Sequence, residues 1–355
     1  PPLPRSMGSM VPAADLLLGC ADLTHDELLA ALDAVGFRGD GRLLQLNSYE
    51  NRVFRLMLED GRAVVAKFYR RGRWSDAQIV EEHAFAAELA AAEVPVVAPL
   101  PLQATDPAVT LLPADGPPTL ALRRAPQGLH RYGVWPSRAG RAPELEDPEV
   151  LERLGGFIGR LHAVGARRPF VHRRRLDARA DVRAALALLE AGADVPDAQR
   201  AGWAAVGAEA VACIDAAFGA FKPEAIRLHG DCHPGNLLWR EQGVHVVDLD
   251  DACQGPAVQD LWMLLAGDAD TAARQLALLL RGYAPFRDFD RRELRLVEPL
   301  RLLRMIRHNA WVAQRWHDPA FPAAFPDFGS AGYWAQQTLQ LREQLRTAAQ
   351  APDSL

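Results

Sequence analysis

His229-Gly230-Asp231-Cys232-His233-Pro234-Gly235-Asn236, followed at the end of the next apolar run by Val246-Val247-Asp248, decides how this chain is read. The stretch sets an Asp, an Asn on the same loop and a second Asp beyond a short strand. Phosphoryl transfer asks for that set. One carboxylate orients the attacking hydroxyl and takes its proton. An amide oxygen and a second carboxylate hold Mg²⁺ against the phosphates of ATP. The spacing therefore predicts an ATP-dependent kinase with Asp231 as base and Asn236 and Asp248 as metal ligands.

Each residue also has a plainer reading. Asp231 could cap a turn, Asn236 could be a turn residue and Asp248 could end a strand; their joint spacing argues against coincidence. His229 and Gly230 are expected to support the loop, the glycine by allowing a tight turn, and His233 is expected to be structural. Asp250 and Asp251 read as solvated turn carboxylates, with a second metal as the alternative. Asp260, at the start of a helix, is expected to bind the backbone of the catalytic loop. Cys232 reads as a buried, inert thiol.

Upstream, Arg42–Leu46, Arg52–Leu58 and Arg62–Phe68 read as strands, the last two joined by Glu59-Asp60-Gly61. Lys67 sits in the apolar run Val64-Val65-Ala66-Lys67-Phe68, where a cation can reach the α- and β-phosphates and be positioned by an acid on the next helix. That helix, Asp76 to Ala92, offers Glu81 and Glu82. Glu82 is preferred from its spacing to Phe85 and Leu89, with Glu81 left open. Leu46-Asn47-Ser48-Tyr49-Glu50-Asn51 occupies the place of a phosphate-covering loop without its glycines. Ser48 and Asn51 are its candidate nucleotide contacts, an ordinary polar turn being the alternative.

The chain has 355 residues, enough for two lobes with cores of their own. A net charge of −5 gives no electrostatic case for nucleic-acid binding. No uninterrupted apolar run reaches bilayer-spanning length. The start, 1–14, reads as a tag or disordered leader rather than a signal peptide, which points to the cytoplasm. Four scattered cysteines form no Cys-x-x-Cys pair, so neither a disulfide framework nor a zinc site is expected. Asp22 to Val35 predicts a helix with Thr24 and Glu27 as a capping box and Gly36 as its stop. Short strands are expected at Val109–Leu112 and Thr119–Leu122, and Pro-, Gly- and Arg-dense Arg123 to Asp147 marks the boundary. Helices follow at Leu151–His162, Asp181–Ala191, Val258–Leu265, Ala272–Tyr283 and Glu293–Trp316. Arg-rich Arg167–Arg175 reads as a solvated surface. The expected class is α+β and bilobal: an antiparallel-sheet N-lobe with one inserted helix over 15–125, and a mostly helical C-lobe over 126–355.

Together these motifs resemble the aminoglycoside phosphotransferase and choline kinase-like branch of the protein kinase fold. Asp248 without a following Phe-Gly, and the missing Ala-Pro-Glu element, depart from eukaryotic-type protein kinases. The closer resemblance is to the bacterial stress response kinase A family of Ser/Thr protein kinases. It rests on Leu46–Val53, Val65–Arg70, Trp74-Ser75 with Glu81-Glu82-His83, Arg227–Trp239, Val247–Ala252, Gly255–Leu264, Glu298–Arg301 and Asp318–Pro322. That resemblance implies ATP and Mg²⁺ dependence, transfer to Ser or Thr of a protein substrate, autophosphorylation and a role in surviving envelope or oxidative stress. By position it assigns proton acceptance to Asp231, Mg²⁺ to Asn236 and Asp248, and ATP contact to Ser48. Arg123–Gly128 differs from the family at the adenine hinge. Two rival functions share the motifs: a kinase for a small alcohol such as an aminoglycoside, choline or homoserine, and a catalytically dead nucleotide-sensing scaffold.

Overall fold

The computed structural model describes residues 23–113, 116–125, 128–241 and 243–350. The expected leader at 1–14, part of the turn at 114–115, the hinge residues 126–127 and Gln242 lie outside them. The chain divides into two compact units, one holding the residues through Val80 with Pro99–Ser137, the other Glu81–Ala98 with the chain from Arg138 onward.

The first unit is built on a six-stranded antiparallel sheet: β1 Gly39–Leu46, β2 Arg52–Leu58, β3 Ala63–Phe68, β4 Val109–Leu112, β5 Leu120–Ala125 and β6 Gly128–Pro136, in the order β1-β2-β3-β6-β5-β4. Gly61 turns the β2–β3 hairpin at φ +83°. Helix α1, His25–Asp33, starts with the expected Thr24–Glu27 capping box. It packs Leu28 and Leu32 against Phe54, Leu56, Phe68 and Tyr132 of the sheet. The Tyr132 hydroxyl donates to the Ala31 carbonyl at 2.7 Å, tying helix to sheet. Strand β6 was not foreseen, because its glycines and polar residues hide the alternation of the buried His130, Tyr132 and Val134. It pairs with both β3 and β5, so the boundary expected at 125/126 falls inside a hairpin and the unit runs to Ser137.

Helix α2, Asp76–Ala91, starts in the first unit and continues from Glu81 in the second. The second unit is otherwise helical: α3 Pro148–Gly165, α4 Ala178–Ala191, α5 Asp197–Ala220, α6 Val258–Trp262, α7 Ala269–Tyr283, α8 Val297–Gln314, α9 Ala320–Ala324 and α10 Ala331–Gln350. Two short ribbons interrupt them. β7 Ile226–Leu228 pairs with β10 Cys253–Gly255, and β8 Leu237–Arg240 pairs with β9 Gly243–Val246. Helices α3 and α7 meet backbone to backbone. A Cβ at Gly155 would lie 1.9 Å from the Leu279 carbonyl oxygen, and one at Gly282 would lie 1.8 Å from that of Glu152. Helix α5, by length and composition, is long and apolar enough to cross a membrane, although Glu209 and Asp215 interrupt its apolar run. Its Trp203, Val206, Ala210 and Ile214 are buried in the bundle core, and Asp215 on its outer face is ion-paired to Arg179.

Arg227 on β7 explains why the later turns of α2 belong to this unit. Its fork reaches both Glu88 oxygens, at 2.8 and 3.0 Å, while its guanidinium lies 4.5 Å from the Phe85 ring centroid. Such a bidentate, stacked arginine is a strong local clamp. Burial would raise the Glu88 pKa, but Arg227 and then Arg168 outweigh it and hold the carboxyl below its usual value.

Candidate active site

Asp231 follows a backbone that only glycine can adopt. Gly230 has φ +85°, and a Cβ there would lie 2.2 Å from the Asp251 carbonyl oxygen. Asp260 on α6, fully buried, accepts the backbone N–H of His229 on Oδ2 and that of Gly230 on Oδ1, each at 2.8 Å. Oδ2 also meets His162 Nε2 at 3.0 Å, and His162 Nδ1 lies 3.1 Å from the Tyr283 hydroxyl. Gln259 Nε2 donates to the Gly230 carbonyl at 3.0 Å. The loop is thus held from α3, α6 and α7, and Asp260 plays the supporting part expected of it. His229 is structural as well: Nδ1 accepts from the Asp231 N–H at 3.3 Å, which leaves Nε2 to donate to the Val247 carbonyl at 3.0 Å.

The Asp231 carboxylate is a quarter exposed, with a guanidinium at one oxygen and an imidazole near the other. Arg304 Nη1 on α8 is 2.6 Å from Oδ1, and His233 Nε2 is 3.4 Å from Oδ2. Burial alone would raise its pKa; Arg304 foremost, then His233 and His229, outweigh it and keep the carboxyl below the ordinary value, so Asp231 is an anion at neutral pH. Burial pushes the His233 pKa down, with Asp231 opposing. Cys232 is buried and inert, its thiol driven well up by burial. Arg304 was missed by sequence reasoning because it lies on a distant helix with no motif of its own.

The β8–β9 ribbon brings Asn236 and Asp248 together. Asn236 immediately precedes β8, Leu237 pairs with Val246, and the Val247 N–H donates to the Asn236 carbonyl at 3.1 Å. Asn236 Nδ2 donates to the Asp231 carbonyl at 2.9 Å, which orients its Oδ1 away from the loop. Asp248 takes the left-handed conformation, φ 62° and ψ 67°, rare for a non-glycine residue, and its side chain is exposed. Among the described residues no group of three His, Cys, Asp or Glu side chains could hold a metal. One amide oxygen and one carboxylate are the hard-oxygen pair Mg²⁺ uses when phosphates and waters complete its shell.

The arginine-rich segment is a solvated surface only in part: Arg167, Arg168 and Arg175 are exposed, but Arg173 is not. Arg173 is buried and donates Nε to the Ala252 carbonyl at 2.9 Å and Nη2 to the carbonyl of Asp250, with the Leu249 carbonyl at 3.4 Å. It therefore gathers the backbone that follows Asp248, and its Nη1 lies 3.7 Å from Glu82 Oε2. Glu81 accepts the backbone N–H groups of Val171, His172 and Arg173 at 2.5, 2.8 and 2.6 Å. Asp250, expected as a solvated carboxylate, is buried in this knot.

In the first unit Lys67 is buried, not solvent-facing, with Nζ 4.7 Å from the Tyr69 ring and 5.1 Å from that of Trp135. The 47–51 loop is ordered from within. The Asn51 N–H donates to Ser48 Oγ at 3.3 Å, and Asn51 Oδ1 accepts the Arg70 N–H at 3.1 Å. Arg70, not singled out in the sequence, donates to the carbonyls of Glu50 and Tyr49, each at 3.1 Å. Lys67, Ser48 and Asn51 thus share one end of β1–β3. Asp231, Asn236, Asp248 and Glu82 belong to the second unit.

The profile of the phosphotransferase enzyme family matches residues 42–297, and the chain belongs to that family. It is a phosphotransferase with a hydroxyl acceptor. Within the family it falls among the stress response kinase A proteins. It is 40% identical to stress response kinase A of Salmonella choleraesuis (strain SC-B67) over 93% of this chain and 95% of that protein. It is 40% identical, over the same shares, to a Salmonella typhimurium (strain LT2) protein named serine/threonine protein kinase RdoA. The fold is also that of the amicoumacin kinase hAmiN, solved with AMP-PNP, Ca²⁺ and Ami, at TM-score 0.67 and 16% identity over 93% of this chain and 95% of that one. A microcompartment-associated aminopropanol kinase matches at TM-score 0.64 and 16% identity, over 91% and 98% of the two chains.

Proposed function

We propose that this protein is an ATP- and Mg²⁺-dependent serine/threonine protein kinase of the cytoplasm, transferring the γ-phosphoryl of ATP to a protein hydroxyl and to itself, in a stress response. The observation that carries the reading is the ionised Asp231 beside the Asn236–Asp248 ribbon. Asp231 orients the acceptor hydroxyl and takes its proton as the oxygen–phosphorus bond forms. Mg²⁺ at Asn236 and Asp248 would offset charge on the phosphates. Lys67 serves the α- and β-phosphates, with Ser48 and Asn51 as further nucleotide contacts. Because Glu81 is occupied by three backbone amides, Glu82 is the acid assigned to Lys67.

The protein acceptor is favoured by the relative named as a serine/threonine protein kinase, which matches over nearly the whole chain. The small-alcohol reading draws on solved neighbours far lower in identity. Incubation with γ-labelled ATP, a lysate and a panel of small alcohols decides between them. Labelled Ser or Thr in polypeptides is expected; label confined to small products would overturn the protein acceptor. Asp231→Asn should abolish transfer while nucleotide binding stays near wild type, and unchanged turnover would remove Asp231 from its role.

A further inference from the structure

Two arginines stand one turn apart on the face of α8 that reaches the catalytic carboxylate. Arg304 spends only Nη1, on Asp231 Oδ1 at 2.6 Å and towards Met263 Sδ at 3.7 Å. Its Nε and Nη2 bond no described residue, and its side chain is 48% exposed. Arg307, at the i+3 position, is exposed and makes no hydrogen bond or ion pair with any described residue.

The surroundings of Arg307 are nonetheless dense. Burial, followed by repulsion from Arg174, holds its pKa below the usual value; Asp181, Asp251 and the Cys253 thiol act in the opposite sense without cancelling them. Arg174 itself is bound to Asp181 at 2.5 Å. A guanidinium that reaches solvent, is crowded by protein and bonds no described carboxylate is open to an anionic ligand. Guanidinium forks bind carboxylate and phosphate in just this setting. Any hydroxyl that reaches Asp231 must come to rest beside Arg304.

We propose that Arg304 and Arg307 form an anion receptor for the acceptor, so that the substrate carries a carboxylate or phosphate group close to the hydroxyl it offers. In a protein acceptor this is an Asp, a Glu or an already phosphorylated residue flanking the target Ser or Thr. The assignment rests on Asp231 as the base. On docking, the substrate anion draws Arg304 from Asp231 Oδ1 and opens that oxygen to the incoming hydroxyl.

The test uses the full chain with γ-labelled ATP and a neutral Ala/Gly peptide holding one Ser, with Glu, phosphoserine or Lys placed singly at each flanking position. ATP hydrolysis to water is followed in parallel. Glu or phosphoserine at one or two positions should raise kcat/KM about tenfold or more over the neutral peptide. Preference for Glu as well as phosphoserine assigns a carboxylate-type acceptor; phosphoserine alone assigns a primed one. Arg307→Glu should turn the preference towards the Lys peptides, which a merely damaged fold would not do. Equal rates for all peptides, or a wild-type preference for Lys, would overturn the receptor while leaving the protein-kinase reading intact. Hydrolysis without labelling of any peptide would instead remove the protein acceptor. The receptor is then decided by glycerate against glycerol, with equal rates sinking it. Transfer by Asp231→Asn would defeat the base assignment on which both rest.

Discussion

Arg304 Nη1 and Asp231 Oδ1 lie 2.6 Å apart, although the two residues come from a C-terminal helix and a loop far earlier in the chain. The pair has a consequence for pH. Burial favours protonation of Asp231, and Arg304 is the largest influence against it. With Asp231 as the proposed base, the working form is the anion, so turnover should fall as pH drops through the Asp231 pKa, which lies below the usual carboxylate value. Arg304→Gln should move the acidic limb of the kcat profile to higher pH, with Arg304→Lys between the two. A limb that stays in place in Arg304→Gln would show that the pair does not govern ionisation.

Asp248 and Asn236 flank one end of a two-stranded ribbon, and because Asn236 Nδ2 also bonds the Asp231 carbonyl, Asp248 is the cleaner test of the metal assignment. Asp248→Ala should weaken Mg²⁺-dependent nucleotide binding by about 10–100-fold, a range typical of damage to a metal site. Titration calorimetry with Mg·ATP is the measurement, and wild-type affinity would cancel the metal assignment.

Arg173 is buried among three carbonyls and Glu82, so truncation strands several groups at once. Arg173→Gln should cost about 2–4 kcal/mol of stability and lower the affinity for Mg²⁺ as the backbone after Asp248 loosens. Thermal melts with and without Mg·ATP would register both effects. Lys, which keeps the charge but not the fork, should recover only part. A variant melting with the wild type would contradict the linking role.

Glu293 is buried and accepts the Val258 N–H at 2.9 Å, where α6 begins. Burial pushes its pKa up to about 7. The folded pKa lies above the unfolded one, so the stabilising contribution is fully present below the ordinary glutamate value and is lost as pH rises through about 7. Glu293→Gln keeps an acceptor for Val258 and removes the titration. Its melting temperature, compared with the wild type, should therefore gain most above pH 7 and least near pH 4. A constant difference across that range would refute the shift.

The candidate site was legible in part because its residues are local in sequence. His229 to Asn236 and Asp248 lie on one short segment, and Asp260 announces itself as an acid at a helix start. The capping box of α1 and the β2–β3 hairpin were equally readable, since caps and tight turns are written in neighbouring residues. What was hidden is what the fold brings from afar. Arg304 and Arg173 owe their roles to residues 73 and 77 positions away. The segment around Arg173 read as solvent-facing because charge density alone does not tell a buried fork from a surface one. Strand β6 was obscured by glycines and by an Arg-rich hairpin. Helix α5 was passed over because Glu209 and Asp215 break its apolar run in sequence, although neither lies on its buried face.

His162 and Tyr283, which reach Asp260 in relay, stand on α3 and α7, the two helices that touch through Gly155 and Gly282. That contact is a gauge block for the catalytic loop: the separation of two helix axes sets the height at which the relay meets Asp260. A single methyl group at residue 155, nowhere near phosphate or metal, would spread the helices and lift the relay. Lesions that silence this enzyme therefore need not map anywhere near its chemistry.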